Sequence, residues 1–194
     1  MNNAATESTP ELLLDLGESA IRSRGYAGFS YADIAREAGI RKASIHHHFP
    51  TKLVFGLAVL DRYADRLARA LNDIESRNRT GAMALSQAIE LYRSALGGGD
   101  RLCLCVALAS DRELVGEEIR QVLNRANRMV ITWLEQILLK GRRDRSISVG
   151  GDPATDAISL LAQLQGAQLV ARAAGDPSVF ENATTTISAR LSRH

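Results

Sequence analysis

Along residues 11–24 the apolar positions Leu13, Leu16, Ala20 and Ile21 recur at helical spacing, which predicts an amphipathic helix with one buried stripe. Thr9 and Pro10 supply an N-cap and an N1 proline for it, and Gly25 supplies the left-handed residue that ends it. Ser30-Tyr31-Ala32-Asp33 then has the form of a capping box, in which serine and acid satisfy each other's end amides. The helix it opens buries Ile34, Ala35 and Ala38 and stops at Gly39. Arg41 to His48 forms a further short helix. Ile45 and Phe49, four apart, face inward, while Ala43 and His47 point the other way, flanked by Ser44 and His46. Pro50 and Thr51 break the chain and restart it as a long helix to Ser76, striped by Leu53, Leu57, Leu60, Ala64, Leu67 and Leu71. Four or five further helices are expected, with candidates over 80–96, 101–110, 112–140, 153–174 and 177–191. Glycine-rich breaks at Gly97-Gly98-Gly99, Gly150-Gly151-Asp152-Pro153 and Gly175-Asp176-Pro177 separate some of them. No alternating strand pattern, repeat or low-complexity segment interrupts the series. The fold class is all-α, with about nine helices.

Composition narrows the class. At 194 residues and 21.0 kDa, with 45% hydrophobic and 24% charged residues, the chain can bury a core without staples. No stretch reaches 18 uncharged apolar residues, so no transmembrane helix is expected. Met1 to Glu11 is polar and acidic, unlike a signal peptide. Cys103 and Cys105 are too close to form a disulfide framework, and a cytoplasmic protein is expected. The motifs His-Glu-x-x-His, Gly-x-Ser-x-Gly and Gly-x-x-x-x-Gly-Lys are all missing, which argues against an α-helical enzyme. No cofactor is expected.

The distribution of charge says more than the net +2. Between Ile21 and Lys52, six basic residues (Arg22, Arg24, Arg36, Arg41, Lys42, Lys52) face two acids (Asp33, Glu37), an excess of +4. Two short helices joined by a glycine turn, carrying that excess, form a helix-turn-helix pattern suited to double-stranded DNA. Ser30, and Thr51 with Lys52, place donors at two helix N-termini where phosphates can be bound. Arg41, Lys42 and Ser44 are the candidates for hydrogen bonds to base edges, and Ala43 is small enough to meet a thymine methyl. Tyr31 fits either core or contact. His46, His47 and His48 do not form a metal site, because neighbours on a helix diverge by about 100°.

The run from Ser30 to Lys52, with its Asp-Ile-Ala…Ala-Gly, x-Lys-x-Ser and His-His-Phe-Pro-Thr-Lys elements in order, resembles the DNA-binding domain of TetR-family (tetracycline-repressor-like) regulators. Arg24-Gly25-Tyr26-Ala27-Gly28-Phe29 is similar to that family's first interhelical turn. The resemblance implies that His46, His47 and His48 occupy phosphate-contacting positions. The family usually has tyrosine where this chain has His46, and a contact made by an imidazole varies with pH. It also implies a DNA-binding domain over 1–52 and a ligand-sensing, dimerising domain over 53–194, connected by the helix at 51–76. On that basis Ala157, Leu161, Leu164, Gln168 and Ala171 are expected at a dimer interface, with ordinary core as the competing reading. Polar or large residues on otherwise apolar helices, namely Tyr92, Cys103, Cys105, Trp133, Gln163 and Gln165, are candidates for an effector pocket. Leu102-Cys103-Leu104-Cys105 is similar to a TetR branch with a cysteine at this place, some of whose members sense electrophiles or oxidants through the thiol. A helix N-terminus and nearby Arg101 would lower a thiol's pKa there, whereas a buried cysteine is most often a small hydrophobe. The basic residues Lys140, Arg142, Arg143 and Arg145 read as a solvated helix end. The function expected is a homodimeric, ligand-responsive repressor acting on a palindromic operator. Its alternatives are a Cys103-based sensor of electrophiles or oxidants on the same fold, and a helical interaction module that does not bind DNA.

Overall fold

The computed structural model describes residues 9–111, 113–148 and 150–191. Among these, nine α-helices follow in order: α1 (Thr9–Arg24), α2 (Tyr31–Ala38), α3 (Lys42–His48), α4 (Lys52–Arg77), α5 (Gly81–Ser94), α6 (Leu104–Ser110), α7 (Glu117–Arg143), α8 (Pro153–Ala174) and α9 (Ser178–Ser188). Among the described residues the one extended pairing is an isolated bridge between Ile147 and Leu191. The polar lead at residues 1–8, and Arg112, expected to open a helix, lie outside the described residues.

Local chemistry sets the helix ends. Ser30 and Asp33 form the expected capping box at the start of α2. Gly39 closes α2 at φ 67°, a left-handed backbone that a side chain would strain. Thr51, Thr80 and Asp152 cap α4, α5 and α8 through their side-chain oxygens. Thr9 is itself helical rather than a cap. The helix expected from residue 101 begins only at Leu104, because the Leu102 amide is taken by the Arg22 carbonyl and Cys103 caps α6. The helix expected from 112 starts at Glu117, since a turn anchored on the Asp111 carbonyl holds Leu114 and Val115 first.

Two apolar clusters fill the interior. One joins α1, α2, α3 and the start of α4 to α6 and the first half of α7, through Ile21, Ile34, Ile45, Phe55, Leu104, Leu108 and Ile119. The other gathers Leu71, α5, the second half of α7, α8 and α9 around Leu85, Leu134, Leu164 and Phe180. Polar links tie the end of α1 into the rest of the molecule. Arg22 donates to the carbonyls of Leu102 (2.9 Å) and Ala95 (2.7 Å), and Arg172 of α8 donates to those of Arg22 and Ser23. Asp111, just beyond α6, accepts from the Tyr26 and Ala27 amides in the α1–α2 turn. Gly25 suits that turn twice over. Its φ is 79°, and a Cβ would sit 2.7 Å from the Asp111 carboxylate.

Candidate nucleic-acid interface

α3 is seated from one side and open on the other. Ile45 is fully buried and Phe49 nearly so, while Arg41, Lys42, Ala43, Ser44, His46, His47 and His48 are all exposed. The seat is aromatic, with Phe49 edge-on to Phe55 at 5.0 Å and Phe55 edge-on to Tyr31 at 5.6 Å. The Tyr31 hydroxyl lies within hydrogen-bond reach of the carbonyls of Phe49 (2.9 Å) and Thr51 (2.6 Å), fixing the end of α3 and the start of α4 to α2. Burial, with Tyr26 adding to it, pushes the Tyr31 phenol up to about 12, so it remains a donor across the physiological range. Ser30 and Thr51, at the starts of α2 and α4, are both exposed.

The basic excess in this region divides once side chains are followed. Arg22 is spent on carbonyls and Glu18, Arg24 pairs with Glu37 at 3.7 Å, and Arg36 pairs with Asp33 at 2.8 Å. The Ser30 hydroxyl first, then Arg36 and the Ser30 amide, hold the Asp33 carboxyl below its ordinary range. Lys52 turns inward. Its Nζ donates to the Phe29 carbonyl at 2.8 Å and lies over the rings of Tyr26 and Phe29, and burial lowers its pKa although Asp111 opposes that shift. Among the described residues, Arg41 and Lys42 are the two of the six whose charge is not taken up by an acid, a carbonyl or a ring, and both belong to the α3 segment.

A cavity of about 300 Å³ lies between α1, α4 and α5, lined by the apolar side chains of Leu67, Ala70, Leu91 and Ala95. Tyr63, Tyr92 and Cys103 complete its wall, with Glu18, Arg22 and Arg66 at its edge. Cys103 is the N-cap of α6, its Sγ accepting from the Val106 amide at 3.4 Å. That bond and Arg22 favour the thiolate, but burial outweighs them and pushes the thiol up to about 11. Burial likewise raises Tyr63 and Tyr92 well above the ordinary phenol range. Among the described residues, no group of three or more His, Cys, Asp or Glu is placed to hold a metal ion, and no helix is long and apolar enough to cross a membrane.

Known proteins share this geometry. The family profile described as "Bacterial regulatory proteins, tetR family" matches residues 13–55, the stretch that contains α2, α3 and their seat. Over 187 residues the chain is 31% identical to the HTH-type transcriptional repressor NemR of Escherichia coli K12, covering 94% of each chain. The chain belongs to the TetR family. Its work is that of a DNA-binding transcriptional regulator. Among solved structures, a TetR-family regulator from Agrobacterium tumefaciens superposes with a TM-score of 0.90 at 28% identity, covering 96% of this chain and 98% of that one. The reduced form of E. coli NemR superposes with a TM-score of 0.82 at 26% identity, over 96% and 98% of the two chains.

Within this TetR-family frame, several residues singled out from sequence lie elsewhere than expected. Lys52 turns inward instead of facing outward, and Tyr31, which fits either core or contact by sequence, lies in the core, because each finds carbonyl and aromatic partners inside the domain. Of the pocket candidates, Tyr92 and Cys103 line the cavity. Cys105 is buried beside them but forms no part of that wall. Trp133 is packed in the second apolar cluster, its Nε1 without an acceptor among the described residues. Gln163 bonds to the Ala183 carbonyl and Thr186 of α9, and Gln165 to Asn127 of α7, so both brace helices instead of lining the cavity. Arg101 is exposed beside Asp100 at 4.0 Å, and the cation that bears on Cys103 is Arg22. The stripe expected at a dimer interface lies in the protomer's own core instead. Ala157, Leu161, Leu164, Gln168 and Ala171 are buried within the protomer, with Gln168 bridging the Cys103 amide and the Tyr92 carbonyl. α8 instead exposes Ile158 (55%), Leu169 (43%) and Val170 (58%) on its other face. Glu18, Arg22, Tyr63 and Arg66 were missed as cavity residues. Their charge or position inside amphipathic helices carries no local mark of a cavity that only the packing of α1 on α4 creates.

Proposed function

We propose that the protein is a homodimeric repressor, working in the cytoplasm, that binds a palindromic operator through α3 and leaves it when a small molecule enters the cavity. The observation that carries this reading is the open face of α3, where Arg41 and Lys42 present their charge beside Ser44 on a helix locked in place by Tyr31. Arg41, Lys42 and Ser44 contact base edges, with Ala43 against a methyl group; Ser30, Thr51 and the three histidines meet phosphates. Residues 1–52 serve DNA, and 53–194 serve the effector and the partner. The outward face of α8 supports dimerisation, since Ile158, Leu169 and Val170 form an apolar strip on one long helix. The cavity favours a compact, largely apolar effector, and its place between α1 and α4 puts that effector where it would shift the DNA-binding half. The test is fluorescence anisotropy with DNA from upstream of the protein's own gene across a salt series. Tight, site-selective binding that weakens steeply with salt supports the reading, and equal affinity for random DNA at every salt concentration refutes it.

A second reading keeps the fold and makes Cys103 the sensor, its sulfur adding to an electrophilic small molecule within the cavity. The position of Cys103 on the cavity wall, beside Arg22, favours it. Against it stands the raised thiol pKa, which makes Cys103 a slow nucleophile at neutral pH. If release from DNA by an electrophile survives Cys103→Ser, this second reading is wrong.

A further inference from the structure

Three of the chain's four histidines are consecutive on α3, and all three are exposed on the helix that carries Lys42 and follows Arg41. The fourth, His194, lies outside the described residues. We propose that DNA binding by this protein is proton-linked, with His46, His47 and His48 taking up protons as they meet phosphate, so that acidification tightens the complex. The proposal rests on reading α3 as the helix that faces DNA, and it adds regulation to that interface.

The surroundings of the three rings leave them free to respond. His46 has its Nδ1 3.2 Å from the Pro50 carbonyl, within hydrogen-bond reach, with Nε2 on the far side of the ring. From α2, Tyr31 meets the His46 ring edge-on at 4.8 Å. The two acids of α2 are occupied, Asp33 by Ser30 and Arg36 and Glu37 by Arg24. From the start of α4, Thr51 is exposed and Lys52 points back to the Phe29 carbonyl. His47 and His48 stack edge-on at 5.3 Å, and His48 adjoins the Phe49 ring. The charged neighbours in the α3 segment itself are Arg41 and Lys42. Among the described residues no carboxylate pairs with the three imidazoles and two cations share their segment, so no group there offers them a negative charge. A phosphate backbone does, within hydrogen-bond reach.

The direction follows from linkage. A group whose protonated form is favoured in the complex binds extra protons there, so affinity falls as pH rises between about 6 and 8. Each fully linked proton changes the association constant about tenfold per pH unit. Other side chains contribute little in this window. Carboxylates titrate below it, and the buried Cys103 is pushed up to about 11.

The experiment is anisotropy with a labelled duplex from upstream of the protein's own gene, at pH 6, 7 and 8 and constant ionic strength. Binding to the full chain is expected to weaken by at least about tenfold from pH 6 to pH 8. In H46Q/H47Q/H48Q, checked for an unchanged helical spectrum, that dependence is expected to flatten. A second measurement uses the unaltered protein, so it does not depend on the variant folding. Titration calorimetry at pH 7 in two buffers of different ionisation enthalpy should show net proton uptake on binding. Binding with equal affinity at all three pH values and no proton uptake overturns the linkage while leaving the interface standing. Absence of binding at every pH overturns both.

Discussion

Lys42 and Lys52 are ten residues apart in the sequence and meet opposite environments. Lys42 is exposed on the open side of α3, whereas Lys52 is held between the Phe29 carbonyl and two aromatic faces. Their alanine variants should therefore fail differently. Lys42→Ala is expected to lower DNA affinity about tenfold or more with unchanged stability, the usual cost of about 1–3 kcal/mol for a lost groove contact. Lys52→Ala is expected to lower unfolding stability by about 1–2 kcal/mol, since it leaves a carbonyl unpaired and removes the cation from the rings. Urea unfolding and anisotropy on the same samples separate the two. Read from sequence alone, both lysines face DNA, Lys42 at base edges and Lys52 at a phosphate. The capping pair Ser30–Asp33 and the inward Ile45 were legible because their partners lie within one or two helical turns. The partners of Lys52 are about 23 to 26 residues back along the chain, beyond the reach of any periodicity.

At the scale of elements, α6 is a seven-residue strut between the cavity and the α1–α2 turn. Cys103 at its start lines the cavity, and Asp111 at its end grips the α1–α2 turn. Asp111→Ala removes the acceptor for two amides. It is expected to speed hydrogen exchange at Tyr26 and Ala27 and to cost about 1–3 kcal/mol, while exchange in α8 stays slow; unchanged exchange at those amides would show that the turn holds itself. Helix existence at this scale was legible from apolar spacing and caps, and most ends fell within a few residues. The orientation of α8 was not legible. It carries apolar residues on two sides, Leu161 and Leu164 inward and Ile158 and Val170 outward, so the spacing could not say which stripe meets the protomer's own core. Burial by α7 and α9 decides it, and those contacts are set by tertiary packing.

The whole molecule combines an open face on α3, a partly open cavity and an apolar strip on the outer face of α8. Replacing Ile158 and Val170 by glutamate is expected to give a monomer by sedimentation with its helical content intact, and to weaken operator binding by about a hundredfold or more, because a monomer contacts one half-site. A dimer that survives both charges would place the interface elsewhere. The family was legible from the first quarter of the chain, where local motifs and function coincide, and the helical architecture from apolar spacing along the whole chain. The cavity was not, because it is walled by α1, α4 and α5 together.

The most direct test of operator recognition through α3 is selection of bound sequences from a library of random duplexes by the full-length protein. The expected result is enrichment of a palindrome whose half-sites suit two recognition helices about one helical turn apart, and loss of that enrichment when Arg41 and Lys42 are both replaced by alanine. Recovery of unenriched sequence, or of the same motif by the doubly substituted protein, would contradict it.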